Sequence, residues 1–231
     1  MSVEIDIACP DRTFMGYLAM PAKKVGAGIV LLHEGYGLTP YIRSIADKLS
    51  AQLDMFVLAP DLMWRIRPCM EFKETRAEDQ QQVAGLLAQI NLDDMLEDIQ
   101  ATVTALREVG GCTGRIGVVG YGMGGVPAYL SAVRTDTDAT IAHDASGLEP
   151  YLDEAIKITN PLLLHIPANE ADPAYFPKIT SSLEDYMMVT FHQYPNTADG
   201  FTRPSSAAYD KEAAEQADRR TTEFMAANLA F

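Results

Sequence analysis

Cysteine, positive charge and long apolar runs are all scarce in this chain of 231 residues. The three cysteines, Cys9, Cys69 and Cys112, are odd in number, far apart and form no CxxC. A disulfide framework and a thiolate zinc site are therefore both excluded as organising principles. Lysine and arginine total 18 against 32 aspartate and glutamate, for a net charge of −14. That balance is wrong for a nucleic-acid or anionic-membrane surface, which needs a basic patch. The longest apolar run, around Gly26 to Leu32, is too short to span a bilayer. The start, MSVEIDIACP, is acidic and alternating, unlike a secretory signal. Internal repeats, low-complexity segments and a linker rich enough to divide the chain are also lacking. The expectation is a reducing, cytoplasmic setting and one domain over 1–231, with no metal and no cofactor.

What is present is a core-forming sequence with hydrophobic residues at 48% and charged residues at 22%, ordinary for a globular chain. Val3, Ile5 and Ile7 alternate with Glu4 and Asp6, which reads as a half-exposed strand returning through Phe14 to Met20. Gly28–His33 is a continuous apolar run that reads as a strand buried on both faces, Met55–Ala59 and Arg115–Val119 read as further buried strands, and Thr140–Asp144, Leu162–Ile166 and Met187–Gln193 read as strands. Helical spacing is present at Ile42–Gln52, Glu74–Ile90, Leu92–Val109, Val126–Val133, Pro173–Asp185 and Asp210–Ala227, with Asn91 and Asp172 as N-caps. Buried strands alternating with helices predict an α/β fold with a mostly parallel central sheet and helices on both faces. In such sheets the site lies at the carboxyl ends of the strands. The residues to read are His33-Glu34-Gly35, Pro60-Asp61, Gly120–Gly125, His143-Asp144, Ala168–Asp172 and Pro195–Arg203.

The turn RIGVVGYGMGG fits two templates. Gly120, Gly122 and Gly125 satisfy G-x-G-x-x-G, with Asp144 roughly where a ribose-binding acid would stand. Gly120 and Gly124 also frame a nucleophile elbow, G-x-Nuc-x-G, whose central residue is then Gly122. The dinucleotide reading is badly placed, because it normally uses the first strand–helix unit and here at least four strands precede it. The bland reading of these glycines is tight helix–sheet packing.

HEGYGL, APDL, GYGMGG, SGLEPY, LLLHIPANEADP and YPNTADGFTR follow successive strands in one order. As an ordered set they resemble the dienelactone hydrolase family of α/β-hydrolases, from about residue 10 to the last helix. The resemblance implies a single-domain α/β-hydrolase fold and hydrolysis of a small lactone carrying a carboxylate. It also implies a Cys–His–Asp triad, a glutamate that controls the thiol, and arginines that hold the substrate carboxylate. The glutamate falls on Glu34 and is kept. The cysteine falls on Gly122, which has no side chain. The triad acid falls on Glu170, or on Asp172 if the loop shifts, and the histidine falls on Asp199. One arginine falls on Arg203 and is kept; the other falls on Gln80, with Arg76 one turn away. Nucleophile and general base are thus both replaced.

Several expectations follow. Gly122 should hold positive φ, and the N–H groups of Gly35 and Met123 should survive as oxyanion donors. Glu34 and Asp199 should approach each other as an acid/base pair with one raised pKa, with Glu170 as a further acid and Arg203 and Tyr36 lining the substrate site. The partner is a small molecule, with a carboxylate as the family's precedent. Three functions compete: an enzyme on a small acidic lactone, ester or enol compound; a catalytically silent binder; and a nucleotide-dependent oxidoreductase. A metal among His33, His143, Glu170 and Asp199 has no supporting spacing. His165 and His192 read as packed strand residues, and Trp64 as an aromatic of the core or the pocket wall.

Overall fold

A computed structural model describes residues 1–10, 12–168 and 174–229. Eight strands form one sheet: β1 (Ser2–Ala8), β2 (Thr13–Ala19), β3 (Gly26–Leu32), β4 (Phe56–Pro60), β5 (Cys112–Gly120), β6 (Ala139–His143), β7 (Leu162–Pro167) and β8 (Val189–Tyr194). Their order is β1-β2-β4-β3-β5-β6-β7-β8. The pairs from β4 through β8 are parallel, whereas β2 runs antiparallel to both β1 and β4. This is the expected α/β sheet with a starting hairpin. The central strands β4, β6 and β7 are buried throughout, as an all-covered parallel sheet requires, whereas β8, at the sheet edge, is only partly buried.

The helices are α1 (Pro40–Leu53), α2 (Ala77–Leu87), α3 (Leu92–Glu108), α4 (Gly125–Arg134), α5 (Tyr175–Leu183) and α6 (Lys211–Leu229). Helix α1 starts at Thr39, whose hydroxyl accepts from Ile42 N–H, with Pro40 at the first helical position. Helix α3 starts at Asn91, whose side chain accepts from the N–H groups of Asp93 and Asp94. It buries Met95, Ile99, Val103 and Leu106 on one face. Helices α1 and α6 cover one side of the sheet around Ile29, Leu31 and Val57. Helices α3 and α4 cover the other around Val30, Leu32 and Val118.

Two elements differ from expectation. The helix expected from Glu74 begins only at Ala77, because 73–76 is a turn tied down by its own polar groups: Asp79 accepts from Lys73 N–H, and Gln80 donates to the Glu74 carbonyl. A 3₁₀ stretch, Glu149–Lys157, follows β6, and buried Leu152 and Ala155 match its three-residue period. The expected cap Asp172 lies outside the described residues. Among the described residues no helix is long and apolar enough to cross a membrane.

The fold places the site by its order reversal. From β3 the chain moves to β4 on one side, then returns to β5 on the other. The carboxyl ends of β3 and β5 therefore border a crevice with no connection running across it. His33-Glu34-Gly35 and Tyr121-Gly122-Met123 stand on its two rims.

Candidate active site

Gly122 sits at φ 52°, in the left-handed region, between β5 and a 3₁₀ turn, Gly122–Gly124, that leads into α4. This is the elbow backbone that the glycine frame predicts. A Cβ built at Gly122 meets only Glu34, at 3.7 Å and 3.8 Å, so there is room for a side chain and the backbone angle alone favours glycine. Gly120 is different: its Cβ would lie 2.0 Å from the Gly124 carbonyl oxygen. Close strand–helix approach explains that glycine without any phosphate.

The turn directs its hydrogen bonds inward. Gly124 N–H donates to the Tyr121 carbonyl and Gly125 N–H to that of Gly122. Among the described residues, the N–H groups of Gly35 and Met123 have no protein acceptor. Both residues line a cavity of about 490 Å³ together with Gly122. Glu34, Asp199 and Arg203 form its polar wall, and Val83, Leu87, Ile90, Leu92 and Met95 from the α2–α3 side form the apolar one.

Glu34 is held from behind by His33. Leu62 N–H donates to His33 Nε2 at 3.0 Å, so the ring proton sits on Nδ1 and is donated to the Glu34 carbonyl at 2.5 Å. Burial pushes the His33 pKa down, which keeps the ring neutral in this linking role. The Glu34 side chain is 5% exposed as a residue and ion-paired, Oε1 to Arg203 Nη1 at 2.5 Å. Burial raises its pKa; Arg203 opposes the rise and the Glu74 charge adds to it.

Arg203 is clamped on two edges. Its Nε and Nη2 donate to Glu74 Oε2 and Oε1, each at 2.6 Å, and Nη1 faces Glu34. Ser205 donates to the same Glu74 carboxylate at 2.8 Å, and the guanidinium lies 5.5 Å from the Tyr36 ring. Burial works against the Arg203 charge, but the hydrogen bonds of Glu74 and the charge of Glu34 outweigh it and hold its pKa above the ordinary value. Burial likewise pushes Glu74 up, and the bonds from Arg203 and Ser205 more than reverse this. The expectation of an open carboxylate anchor is corrected here: the fork of Arg203 already holds carboxylates of the chain itself. Gln80 and Arg76 supply no second cation, since Arg76 is exposed and Gln80 turns to the Glu74 backbone.

The expected Glu34–Asp199 pair is also corrected. Both line the cavity, but no hydrogen bond joins them. Asp199 accepts from Ser146 Oγ at 2.6 Å, while Glu34 is turned to Arg203. The arginine outcompetes a second carboxylate for Glu34, as opposite charge must. Glu170 lies outside the described residues.

Sequence reasoning placed Asp144 on the rim but not in its role. Asp144 follows β6 at φ 52°, and its Oδ2 accepts from Gly200 N–H at 3.0 Å. Its Oδ1 is buried with no partner among the described residues. Burial, against the Gly200 bond and with the charges of Asp199 and Glu34, pushes its pKa up to about 7. Asp144 and Ser146 thus tie the turn after β6 to the Asp199–Arg203 turn. Glu74 was missed because it lies in the segment read as helix.

The remaining rim residues are structural. His143, His165 and His192 stand in register across β6, β7 and β8. His143 stacks between Tyr121 and His165, and both His143 and His165 bond Thr221 of α6. Among the described residues no group of three or more His, Cys, Asp or Glu is arranged to hold a metal. Trp64 packs on Phe14 and donates to buried Asp98 instead of lining the cavity.

Known proteins are similar to this chain along nearly its whole length. The model of the dienelactone hydrolase family matches residues 14–229. A putative carboxymethylenebutenolidase of Azospirillum brasilense is 29% identical, covering 97% of this chain and 99% of its own. Carboxymethylenebutenolidase 1 of Cupriavidus pinatubonensis is 28% identical, covering 92% of this chain and 91% of its own. A solved putative dienelactone hydrolase from Klebsiella pneumoniae superposes with a TM-score of 0.85 at 20% identity, covering 98% of both chains, which is a likeness of fold. With the family model running from the second strand to the end of the last helix, the chain belongs to the dienelactone hydrolase family.

Proposed function

We propose that this protein hydrolyses a small lactone or ester by direct attack of water, without a covalent intermediate. One observation carries the reading: Glu34, buried with a raised pKa, stands beside the side-chain-free elbow, next to two N–H groups that have no acceptor among the described residues. The substrate carbonyl oxygen would accept from Gly35 and Met123 N–H, and water would take the space that a nucleophile at Gly122 would fill. Glu34 would remove its proton as general base while the new C–O bond forms, and would hand that proton to the alkoxide oxygen as the acyl C–O bond breaks, giving the acid and the alcohol; a raised carboxylate pKa makes a better base near neutral pH. Asp199, held by Ser146, would serve as the second acid/base group at the cavity wall. The names of the carboxymethylenebutenolidase relatives support lactones as the first substrates to try. One eight-stranded sheet running through the chain supports a single domain, and three unpaired cysteines support a reducing, cytoplasmic setting.

The second reading is a binder that has lost turnover, favoured by the missing nucleophile at Gly122. A panel of small lactones and esters, followed at substrate saturation, separates the two. Hydrolysis is expected with no burst of product and no inactivation by thiol reagents. A burst equal to the enzyme concentration refutes direct water attack, and a silent panel with measurable binding leaves the binder.

A further inference from the structure

Glu74 is an internal carboxylate seated where a carboxylate ligand would bind. It fills the two-pronged edge of Arg203 through Nε and Nη2, at 2.6 Å each, the geometry in which arginine recognises a free carboxylate. The pair is well shielded, with side-chain exposures of 13% and 14%. Ser205 fixes the same carboxylate from its other side. The opposite edge of Arg203 is held by Glu34. Arg203, Glu34 and Tyr36 form the wall between the 490 Å³ cavity and a second one of about 290 Å³, which Glu74 also lines. The wall therefore carries one cation against two carboxylates, and Asp199 adds a third acid facing the larger cavity. Among the described residues the remaining lining side chains of that cavity, Tyr36 apart, are apolar.

We propose that Glu74 is a specificity-determining residue that makes the cavity reject carboxylate substrates and select uncharged ones. This names the substrate class of the site proposed above and rests on that site being the binding site. An anionic ligand would have to displace Glu74 from Arg203 and leave a half-buried carboxylate unpaired, or else sit unpaired itself among like charges. An uncharged lactone or ester meets neither cost. It finds apolar walls for its body and two N–H donors for its carbonyl.

The test uses an isosteric pair that differs only in charge, phenylacetamide and phenylacetate, titrated calorimetrically into the full chain. Neither probe needs to be turned over, so loss of the hydrolytic reading and loss of this one are separate results. The amide is expected to bind at least tenfold more tightly than the carboxylate. In Glu74→Gln, which keeps a side chain of the same length beside Ser205, the carboxylate should gain at least tenfold while the amide changes less than twofold. Ser205→Ala, a milder change that only loosens Glu74, should move the ratio in the same direction by a smaller factor. Melting curves check that both variants fold. A preference of the unmodified protein for phenylacetate, a ratio unchanged in Glu74→Gln and Ser205→Ala, or no binding of either probe would each overturn the proposal.

Discussion

Glu34 and Gly122 carry the residue-scale consequences. A general base works only when deprotonated, so activity should rise with pH and level off above the Glu34 pKa. Burial raises that pKa, so the midpoint in a pH–rate profile should lie above the ordinary carboxylate value of 4.5. Glu34→Gln should lower kcat by about 10²–10⁴-fold, the usual range for a lost acid–base group. Asp199→Asn should cost less, because Asn still accepts from Ser146 and Glu34 remains. Equal losses in the two variants would argue against Glu34 as the base. The elbow glycines should behave in opposite ways in a stability measurement. Gly122→Ala has room for its methyl group and should cost only the left-handed backbone, about 1–2 kcal/mol. Gly120→Ala drives a methyl into the Gly124 carbonyl and should cost about 3 kcal/mol or more. Denaturant midpoints of the two variants decide between a packing glycine and a conformational one.

Helix α3 is the element on which the apolar cavity wall depends. Its Asp98 is 1% exposed and accepts from Arg65 through both oxygens and from Trp64 Nε1. Trp64 in turn stacks on Phe14 of β2. The helix is thereby tied to the loop after β4 and to the sheet at once. Asp98→Ala leaves the Trp64 N–H unpaired and Arg65 without its carboxylate. Arg65 is 37% exposed and regains water, so the expected loss is about 1.5–3 kcal/mol, the range for lost hydrogen bonds to a charged group. Thermal unfolding checks it. A loss below about 1 kcal/mol would mean that the pair behaves as a surface bridge.

At the scale of the whole molecule, buried titratable groups set how stability follows pH. His143 has its pKa pushed down to about 3 by burial, and His33 and His165 are lowered for the same reason. A base with a depressed folded pKa contributes stability above its unfolded value near 6.5, and this is lost as pH falls below it. Asp144 works in the other direction. Its pKa rises from 3.8 to about 7, so its neutral form favours folding, and that contribution disappears as pH climbs through 7. The displacement from 3.8 to about 7 is worth up to about 4 kcal/mol above pH 7. Between 4.5 and 6.5 four histidines, His192 included, gain against the two raised carboxylates Asp144 and Glu34, so stability should climb to a maximum near pH 6.5. Asp144→Asn removes the carboxylate's share, and should stabilise the protein by a few kcal/mol at pH 8 but little at pH 4. Melting temperatures across pH 4–8 for both proteins test this. A variant no more stable at pH 8 would show that Asp144 is charged at no cost in the folded state.

The sequence by itself determined what depends on neighbours along the chain. A short, β-branched apolar run such as Ile29–Leu32 reads as a strand covered on both faces, Asn91 reads as the cap of the helix that follows it, and Gly-Tyr-Gly after a buried strand places Gly122 in a sharp turn. Alternation of these units then points to a parallel sheet and its carboxyl-end rim. The ordered motifs made the family legible, and they pointed to Glu34, Gly122 and Asp199, which the fold brings to one cavity. Tertiary structure alone decided which charges meet. Arg203 chooses Glu74, 129 positions away, and Asp199 chooses Ser146, 53 positions away. Local pattern carries no record of either choice, because ion pairing is set by distance in space and by how far burial weakens water's competition. For the same reason Asp144 reads in sequence as one more rim acid. Only the packed turn above it, with Gly200 on one oxygen and no partner on the other among the described residues, makes it the buried carboxylate whose charge the fold resists.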